Sequence, residues 1–563
     1  MRIEPSYVHG VSDEPLKALT VGQCLDFAAE RFADSEALIV AYQDIRWSYR
    51  KLAEVVDAYA AGFVALGLKP GERIGIWAPN CWEWVVTQFA TAKAGLILVN
   101  INPAYRLPEL AYALDKVGCA ALITAPSLKT SDYIAMLGEL IPEPAGTGAG
   151  RLSSERFKEL RLLVRLGEEK SAGFLNFADI AAAGRPVQGE KMGGLDERLQ
   201  FDDPINIQFT SGTTGAPKAA TLTHHNIVNN AFFVGRQMKL TQNDRMCIPV
   251  PMYHCFGMVL GTLCCVAHGA AMVLSSAGYD AGEVLKTVET ERCTVLHGVP
   301  TMFIAELDHP DFSKRNLHSL RTGIMAGAPC PVELMRRVIN EMNLAEITIA
   351  YGMTETGPVS FQTSVDDPLD RRVTTVGRVL PHIEIKIVDE QGRVVPRGTP
   401  GELLTRGYCV MPGYWRDPER TAKAIDAAGW IASGDVATLD EAGYCQIVGR
   451  IKDMVIRGGE KIFPREIEEF LYQHPKIEQA EVFGVPDAKY GEQVAAWIKL
   501  RAGETASAED IRTFCQGKIA HFKIPVCIRF VDSFPMTVTG KVQKYVMREE
   551  MSHELENQHK QTG

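Results

Sequence analysis

The 563-residue sequence lacks most of the features that announce a protein class on sight. Its thirteen cysteines are scattered and include no C-x-x-C pair, so neither a paired redox or zinc motif nor a disulfide framework is expected, and a reducing compartment is. No basic run is interleaved with aromatics and the net charge is −10, which argues against a nucleic-acid partner. The opening residues, MRIEPSYVHGVSDEP, lack the basic-then-apolar order of a secretory leader. One uncharged run, residues 257–276, has the length of a membrane span, but it holds three glycines and His268 and is expected to be a buried helix followed by a strand. No internal repeat is present. A cytoplasmic globular protein with no membrane span is the resulting expectation.

What is present fits that class: 46% hydrophobic and 23% charged residues, in a chain too long for one core. From about Leu19 to Leu199 helical and strand patterns alternate. LTVGQCLDFAAERF reads as a capped amphipathic helix, and EALIVAYQDIRWSYRKLA as a hairpin running into another helix. The apolar strands GERIGIWAPN, LILVNINP and AALIT are separated by the helical WEWVVTQFATAKA and LPELAYALDKV, an alternation that predicts parallel βαβ units. Residues 142–157 are rich in Gly, Pro and Ser and predict a surface loop. A second alternating region ends near Arg378. Short strands joined by Gly and Pro turns from Ile383 to Val448 predict a small β-subdomain, and an α+β unit follows Arg450. The expected fold is α/β: a large N-terminal domain (1–451) of βαβ subdomains plus a small β-subdomain, then an α+β C-terminal domain (452–563).

The chain's chemistry centres on residues 208–221, QFTSGTTGAPKAAT, preceded by a short β-branched strand. Thr210, Ser211, Thr213 and Thr214 surround Gly212 and Gly215, and Lys218 closes the stretch. The glycines let backbone N–H groups approach a ligand as an anion-binding concavity, the hydroxyls add neutral donors, and Lys218 adds a mobile charge. These are the parts of a phosphate-gripping loop. It is not the P-loop of kinases and GTPases, which places Gly before and Ser/Thr after the lysine, where this chain has Pro217 and Ala219. Downstream, AYGMTETG (350–357) offers Tyr351 to stack on a base, Thr354 to bond phosphate, and Glu355 as a hard oxygen ligand for Mg²⁺, with Gly352 and Met353 in the same run. Asp435 can accept both hydroxyls of a ribose, and Arg450 suits phosphate or ribose.

In this combination and order the stretches resemble the adenylate-forming superfamily: acyl-CoA synthetases, firefly luciferase and the adenylation domains of peptide synthetases. The resemblance runs from about Val21 to Glu549, and LVNINPAY, VPMYHCFGM and GGEKIFPREIE look most like medium-chain fatty acyl-CoA synthetases. It implies ATP, Mg²⁺ and CoA as reactants and cofactors and a carboxylic acid as co-substrate. It places His254 at the mouth of an acyl pocket, Gly327, Ala328 and Pro329 along adenine, and a hinge at Lys452 that makes the C-terminal domain mobile. It also places Gly458 and Gly459 on the CoA side, and Lys541 as the lysine that enters the adenylation site. Catalytic roles thus fall to Lys541, Thr354, His254 and Lys218. FPMTVTGKVQK also fits P-x4-G-K, which marks Lys541 as a target for a lysine acetyltransferase, and the family makes a homodimer an expectation.

Three other readings stay open at this point. An amino-acid adenylation domain would carry an Asp near the aromatic motif, and none lies between Pro251 and Thr262; nor does a carrier domain follow Lys541. An aryl-CoA ligase of the coumarate or benzoate type, or a luciferase-like oxygenase, shares every nucleotide motif and differs only in pocket shape. A non-catalytic nucleotide binder would not need Lys541.

Overall fold

The computed structural model describes residues 4–142, 152–185, 195, 198–210, 217–537 and 540–562. Two large sheets carry the first part of the chain. One has nine strands; its interior strands, from Glu36–Val40 through Ala271–Leu274, Arg245–Cys247, Val295–Gly298 and Thr322–Ala326 to Glu346–Gly352, pair in parallel. The other has eight strands around a parallel core of Arg73–Trp77, Ile97–Asn100, Cys119–Thr124 and Leu162–Arg165. Strands such as CAALIT are buried at every position, which is why they read as continuous apolar runs rather than alternations.

The expected βαβ pattern is therefore present, with antiparallel strands at the sheet edges. Residues 257–276 fold as predicted: a buried helical stretch with a π-helical turn at Met258–Leu263, closed by Gly269 at φ +75°, then the strand Ala271–Leu274. Among the described residues no helix is long and apolar enough to cross a membrane. All thirteen cysteines are free, and every one except Cys527 is buried.

The small β-subdomain is a five-stranded antiparallel sheet of Ile383–Val388, Gly401–Gly407, Ile431–Leu439 and Cys445–Arg450, edged by Tyr7–His9. That edge strand escapes sequence reasoning, because three residues carry no period. Beyond Arg450, five strands from Val455–Arg457 to Cys527–Phe530 and the helices Pro464–Leu471, Ala508–Cys515 and Lys544–Thr562 form the last unit. Much of the terminal helix is polar, and Met547, Met551 and Leu555 fix one narrow stripe of it to Phe483, Val485 and Trp497. One hydrophobic core spans Val21 to Cys445, and two smaller ones lie between Val455 and Met551.

The helix His224–Gln237 fastens this frame to the site. Thr223 and Asn226 close its N-terminus reciprocally, each taking the other's backbone N–H, at 3.1 and 2.8 Å. The Asn226 amide also donates to the Tyr408 and Val410 carbonyls, at 2.5 and 3.1 Å. The loop so held passes the Met411 N–H to the Glu355 carbonyl (2.9 Å). One turn on, buried Asn230 exchanges two hydrogen bonds with the Val359 backbone, as a neighbouring strand would. Asn226→Ala strips partners from two carbonyls and one N–H, so it is expected to destabilise the fold by about 2–3 kcal/mol. Urea unfolding checks this, as a lower midpoint at unchanged slope.

Candidate active site

The phosphate-gripping stretch spans the mouth of a hairpin rather than a strand-to-helix turn. Thr210 ends the strand Pro204–Thr210, Lys218 starts the antiparallel strand Lys218–Thr223, and the two residues face each other in register. Ser211, Gly212, Thr213, Thr214 and Gly215 lie outside the described residues. The carbonyl of Pro217, at the returning end, accepts the Tyr112 hydroxyl (2.9 Å).

Across the mouth stands Glu355, buried in the short 3-10 turn Thr354–Thr356. Its Oε1 accepts from the Thr210 hydroxyl (3.2 Å) and from the Tyr414 hydroxyl (2.9 Å). The Tyr414 hydroxyl in turn accepts from Lys218 Nζ at 3.4 Å, and that ammonium also lies 5.0 Å from the Tyr414 ring centroid. Burial first, then the adjacent Glu355 charge, push the Tyr414 hydroxyl far above its usual range, so it stays a donor. Among the described residues no hydrogen bond ends on Glu355 Oε2. No group of three or more metal-ligating side chains occurs among them either. A divalent cation here would have Glu355 as one hard ligand and would draw the rest from substrate oxygens and water, which is how Mg²⁺ is commonly held.

A second cluster borders the first. The Tyr351 hydroxyl donates to Asp435 Oδ2 (2.5 Å), and Arg450 Nε lies 3.3 Å from Asp435 Oδ1. Asp435 and Arg450 are register partners across the strands Ile431–Leu439 and Cys445–Arg450, so backbone pairing sets their spacing. Tyr351 and Gly352 end the strand Glu346–Gly352, and Met353 caps the turn that holds Glu355. Ala326 pairs with Ala350, so Gly327, Ala328 and Pro329 leave the sheet beside Tyr351. Gly327 has φ +88°, a conformation glycine adopts without strain.

The third group joins the two parts of the chain. Lys541 reaches in from the C-terminal part: its Cε lies 3.7 Å from where a Cβ on Gly327 would stand, and the Thr301 hydroxyl donates to the Gly540 carbonyl (3.2 Å). Burial, then the Arg450 charge, hold the Lys541 ammonium below its usual range, with Glu355 opposing them. His254 caps the short helix Cys255–Gly257, its Nδ1 accepting the Phe256 N–H at 3.2 Å. Burial, helped by the Lys541 charge, drops its pKa to about 3, so the ring is neutral at ordinary pH. Thr354 is buried.

Three predicted residues are not brought to this centre. Gly458 and Gly459, at φ +59° and +89°, form the exposed tip between Val455–Arg457 and Glu460–Ile462, and Lys461 beside them pairs with Glu390 (2.8 Å). Lys452 lies in the exposed turn Ile451–Asp453. Conversely, sequence reasoning does not reach Tyr414. Its GYW context has no spacing relation to the loop, and only the pairing of Tyr414 with Ala220 carries it in.

Comparison with known proteins agrees with this geometry. Residues 25–415 match the family of AMP-binding enzymes, and residues 466–541 match the AMP-binding enzyme C-terminal domain. The chain is 47% identical over 553 residues to the mitochondrial medium-chain acyl-CoA ligase ACSF2 of Danio rerio, covering 98% of this chain and 91% of that one. The anthranilate CoA ligase AuaEII, solved with anthranoyl-AMP, superposes with a TM-score of 0.83 at 26% identity, covering 96% of this chain and 98% of the other. ATP-bound MatB from Rhodopseudomonas palustris gives 0.79 at 28% identity, covering 95% and 99%. On these matches the chain belongs to the family of AMP-binding enzymes.

Proposed function

We propose that the protein is a fatty acid–CoA ligase that converts ATP, a carboxylic acid and CoA to acyl-CoA, AMP and diphosphate, with medium-chain aliphatic acids as its substrates. The observation that carries this reading is Lys541, a cation from the C-terminal part lodged among Gly327, Arg450, Glu355 and His254. Binding a nucleotide alone would not require it. The ACSF2 name favours an aliphatic acid, and so does the uniformly buried apolar run behind His254.

A carboxylate is a poor electrophile, and the ATP triphosphate repels it. Passage through an acyl-adenylate answers the first difficulty: a carboxylate oxygen bonds to the α-phosphorus as the bond to diphosphate breaks. Lys541 and Lys218, with the hydroxyls of Thr210, Ser211, Thr213 and Thr214 and the backbone at Gly212 and Gly215, offset the charge on the phosphate oxygens. Glu355 would hold a Mg²⁺ ion, which would supply Lewis-acid neutralisation of the same oxygens. Asp435 accepts the ribose hydroxyls, and Tyr351 with Gly327–Pro329 flanks adenine. Thr354 bonds phosphate, and neutral His254 faces the acyl side without adding a second repelled charge to Lys541.

The CoA thiol then attacks the acyl carbonyl and AMP leaves. Lys541 has no part in that step and would obstruct it. The domain 452–563 therefore rotates about Lys452, withdrawing Lys541 and bringing Gly458 and Gly459 to the pantetheine arm. An acetyl group on Lys541 would remove the charge the first step needs while leaving the second intact.

Three outcomes follow. Diphosphate release from MgATP and CoA, measured across acetate, butyrate, octanoate, palmitate, benzoate and 4-coumarate, is expected to peak at octanoate; a peak at an aromatic acid would move the protein to the aryl-CoA ligases. Lys541→Ala is expected to lower adenylate formation by roughly 10²-fold or more while thioester formation from supplied acyl-AMP persists, and Gly459→Leu to do the reverse. Both variants failing in the same half-reaction would refute the rotation. Tyr414→Phe frees Lys218 and Glu355 from their shared hydroxyl, and about a tenfold rise in KM for ATP is expected in steady-state assays.

A further inference from the structure

Behind Lys541 lies a charged cluster that contacts none of the groups described above. Lys541 rides on a hairpin closed by two backbone hydrogen bonds, Thr537 N–H to the Lys541 carbonyl and Gln543 N–H to the Pro535 carbonyl, both 2.8 Å. Met536 and Val542 bridge between them. Immediately beyond the foot of this hairpin, Lys544 opens the terminal helix Lys544–Thr562.

The Lys544 ammonium meets three acceptors: Glu468 Oε1, Glu481 Oε2 at 3.4 Å, and the Val482 carbonyl at 3.1 Å. The contacts to Glu468 and Val482 are hydrogen bonds, and Glu481 completes an ion pair. The acceptors come from two elements, the helix Pro464–Leu471 and the strand Ile477–Asp487. Each is held in turn: Glu468 Oε1 also takes the Val482 N–H (2.8 Å), and Glu481 Oε1 takes the Gln479 amide (3.2 Å). The side chain of Glu468 is only 8% exposed and that of Glu481 14%.

Two carboxylates on one lysine make a poor stability device. Desolvating three charges costs several kcal/mol per ion, and well-packed apolar residues often do as well or better. What such a cluster does give is a single position, since its bonds are all made only when the foot of the hairpin sits in one place. Lys544 follows Lys541 by three positions, at most about 10 Å of extended chain, so freedom at the foot is passed on to the catalytic ammonium. A misplacement of about 1 Å can cost on the order of 10²-fold in rate.

We propose that Lys544, Glu468 and Glu481 form a positioning device that fixes the foot of the Lys541 hairpin, and so sets the rate of acyl-adenylate formation without touching any substrate, a role that rests on the reading of Lys541 given above.

The test uses the full-length enzyme and its Lys544→Met and Lys544→Arg variants. Diphosphate release from MgATP and octanoate without CoA reads the first half-reaction, and thioester formation from synthetic octanoyl-AMP and CoA reads the second. Lys544→Met is expected to slow the first about 10- to 100-fold and leave the second near wild type, with Lys544→Arg recovering most of the loss. Hydrogen exchange is expected to quicken in residues 540–543 but not in the strand Ile477–Asp487. If Lys544→Met does not fold, Glu481→Gln, which keeps the Lys544–Glu468 pair, is expected to show the same one-sided loss on a smaller scale. Equal losses in both half-reactions, or full adenylation with unchanged exchange at the hairpin, would overturn the proposal. A wild type that forms no adenylate from any acid would instead defeat the reading of Lys541, and the exchange measurement, which needs no turnover, would still report on the hairpin.

Discussion

A lysine carried by one part of the chain sits inside the polar cleft of another, and the placement of most other groups follows from that. Burial and the neighbouring Arg450 both act against the Lys541 charge, and Glu355 acts for it. Such an ammonium is costly until an anion arrives, which is what a group meant to stabilise charge that develops only during reaction should be. The cleft limits the cost by keeping His254 neutral and by committing Asp435 to Arg450 and Tyr351. Glu355, meanwhile, is occupied on one oxygen by hydroxyl donors rather than by a cation. One pair of charges, Arg450 and Asp435, is in direct contact, while another is kept apart by a neutral group, Tyr414, which stands between Lys218 and Glu355.

Much of this arrangement was legible in the sequence because it is local. Thr210 and Lys218 flank one loop, Tyr351, Thr354 and Glu355 share one turn, and strand alternation announced the βαβ framework and the small β-sheet. What could not be read depends on register between distant strands. Tyr414 enters through its pairing with Ala220, and Tyr7–His9 becomes a strand only because Ile383–Val388 offers an edge. Asn226 and Asn230 stand in no motif, because their work is done on backbone groups far along the chain. Lys544 is one lysine among many until the helix Pro464–Leu471 and the strand Ile477–Asp487 bring two carboxylates to it. Side-chain chemistry was visible; the partner was not.

The same distinction accounts for the exposed glycine pair. Gly458 and Gly459 have backbone angles that suit close approach to a narrow ligand, yet they stand away from the cleft that holds Lys541. Under the function proposed above, the lysine and the glycine tip serve different half-reactions, one needing a cation and the other an open channel, so they need not meet in one arrangement.

Beneath the cleft, a buried polar chain ties its two sides together. The Asn206 amide donates to Asn100 Oδ1 (2.9 Å) and the Gln208 amide to Asn206 Oδ1 (2.9 Å), while the Cys255 thiol donates to Gln208 Oε1 (3.2 Å). The Asn100 amide bonds the Tyr253 carbonyl at 3.0 Å, closing a ring around the turn that carries His254. Just beyond, Thr262 and Gln88 both donate to the Met258 carbonyl inside the π-helical turn, at 2.6 and 3.2 Å. Fully bonded networks of this kind hold their members to one geometry, because any displacement strands a buried donor. The strand Pro204–Thr210 and the turn that carries His254 are therefore held to one geometry. The Gln208 amide also lies 3.7 Å from the Met258 sulfur, so the network that starts at Asn100 reaches the π-helical turn as well as the strand that ends at Thr210.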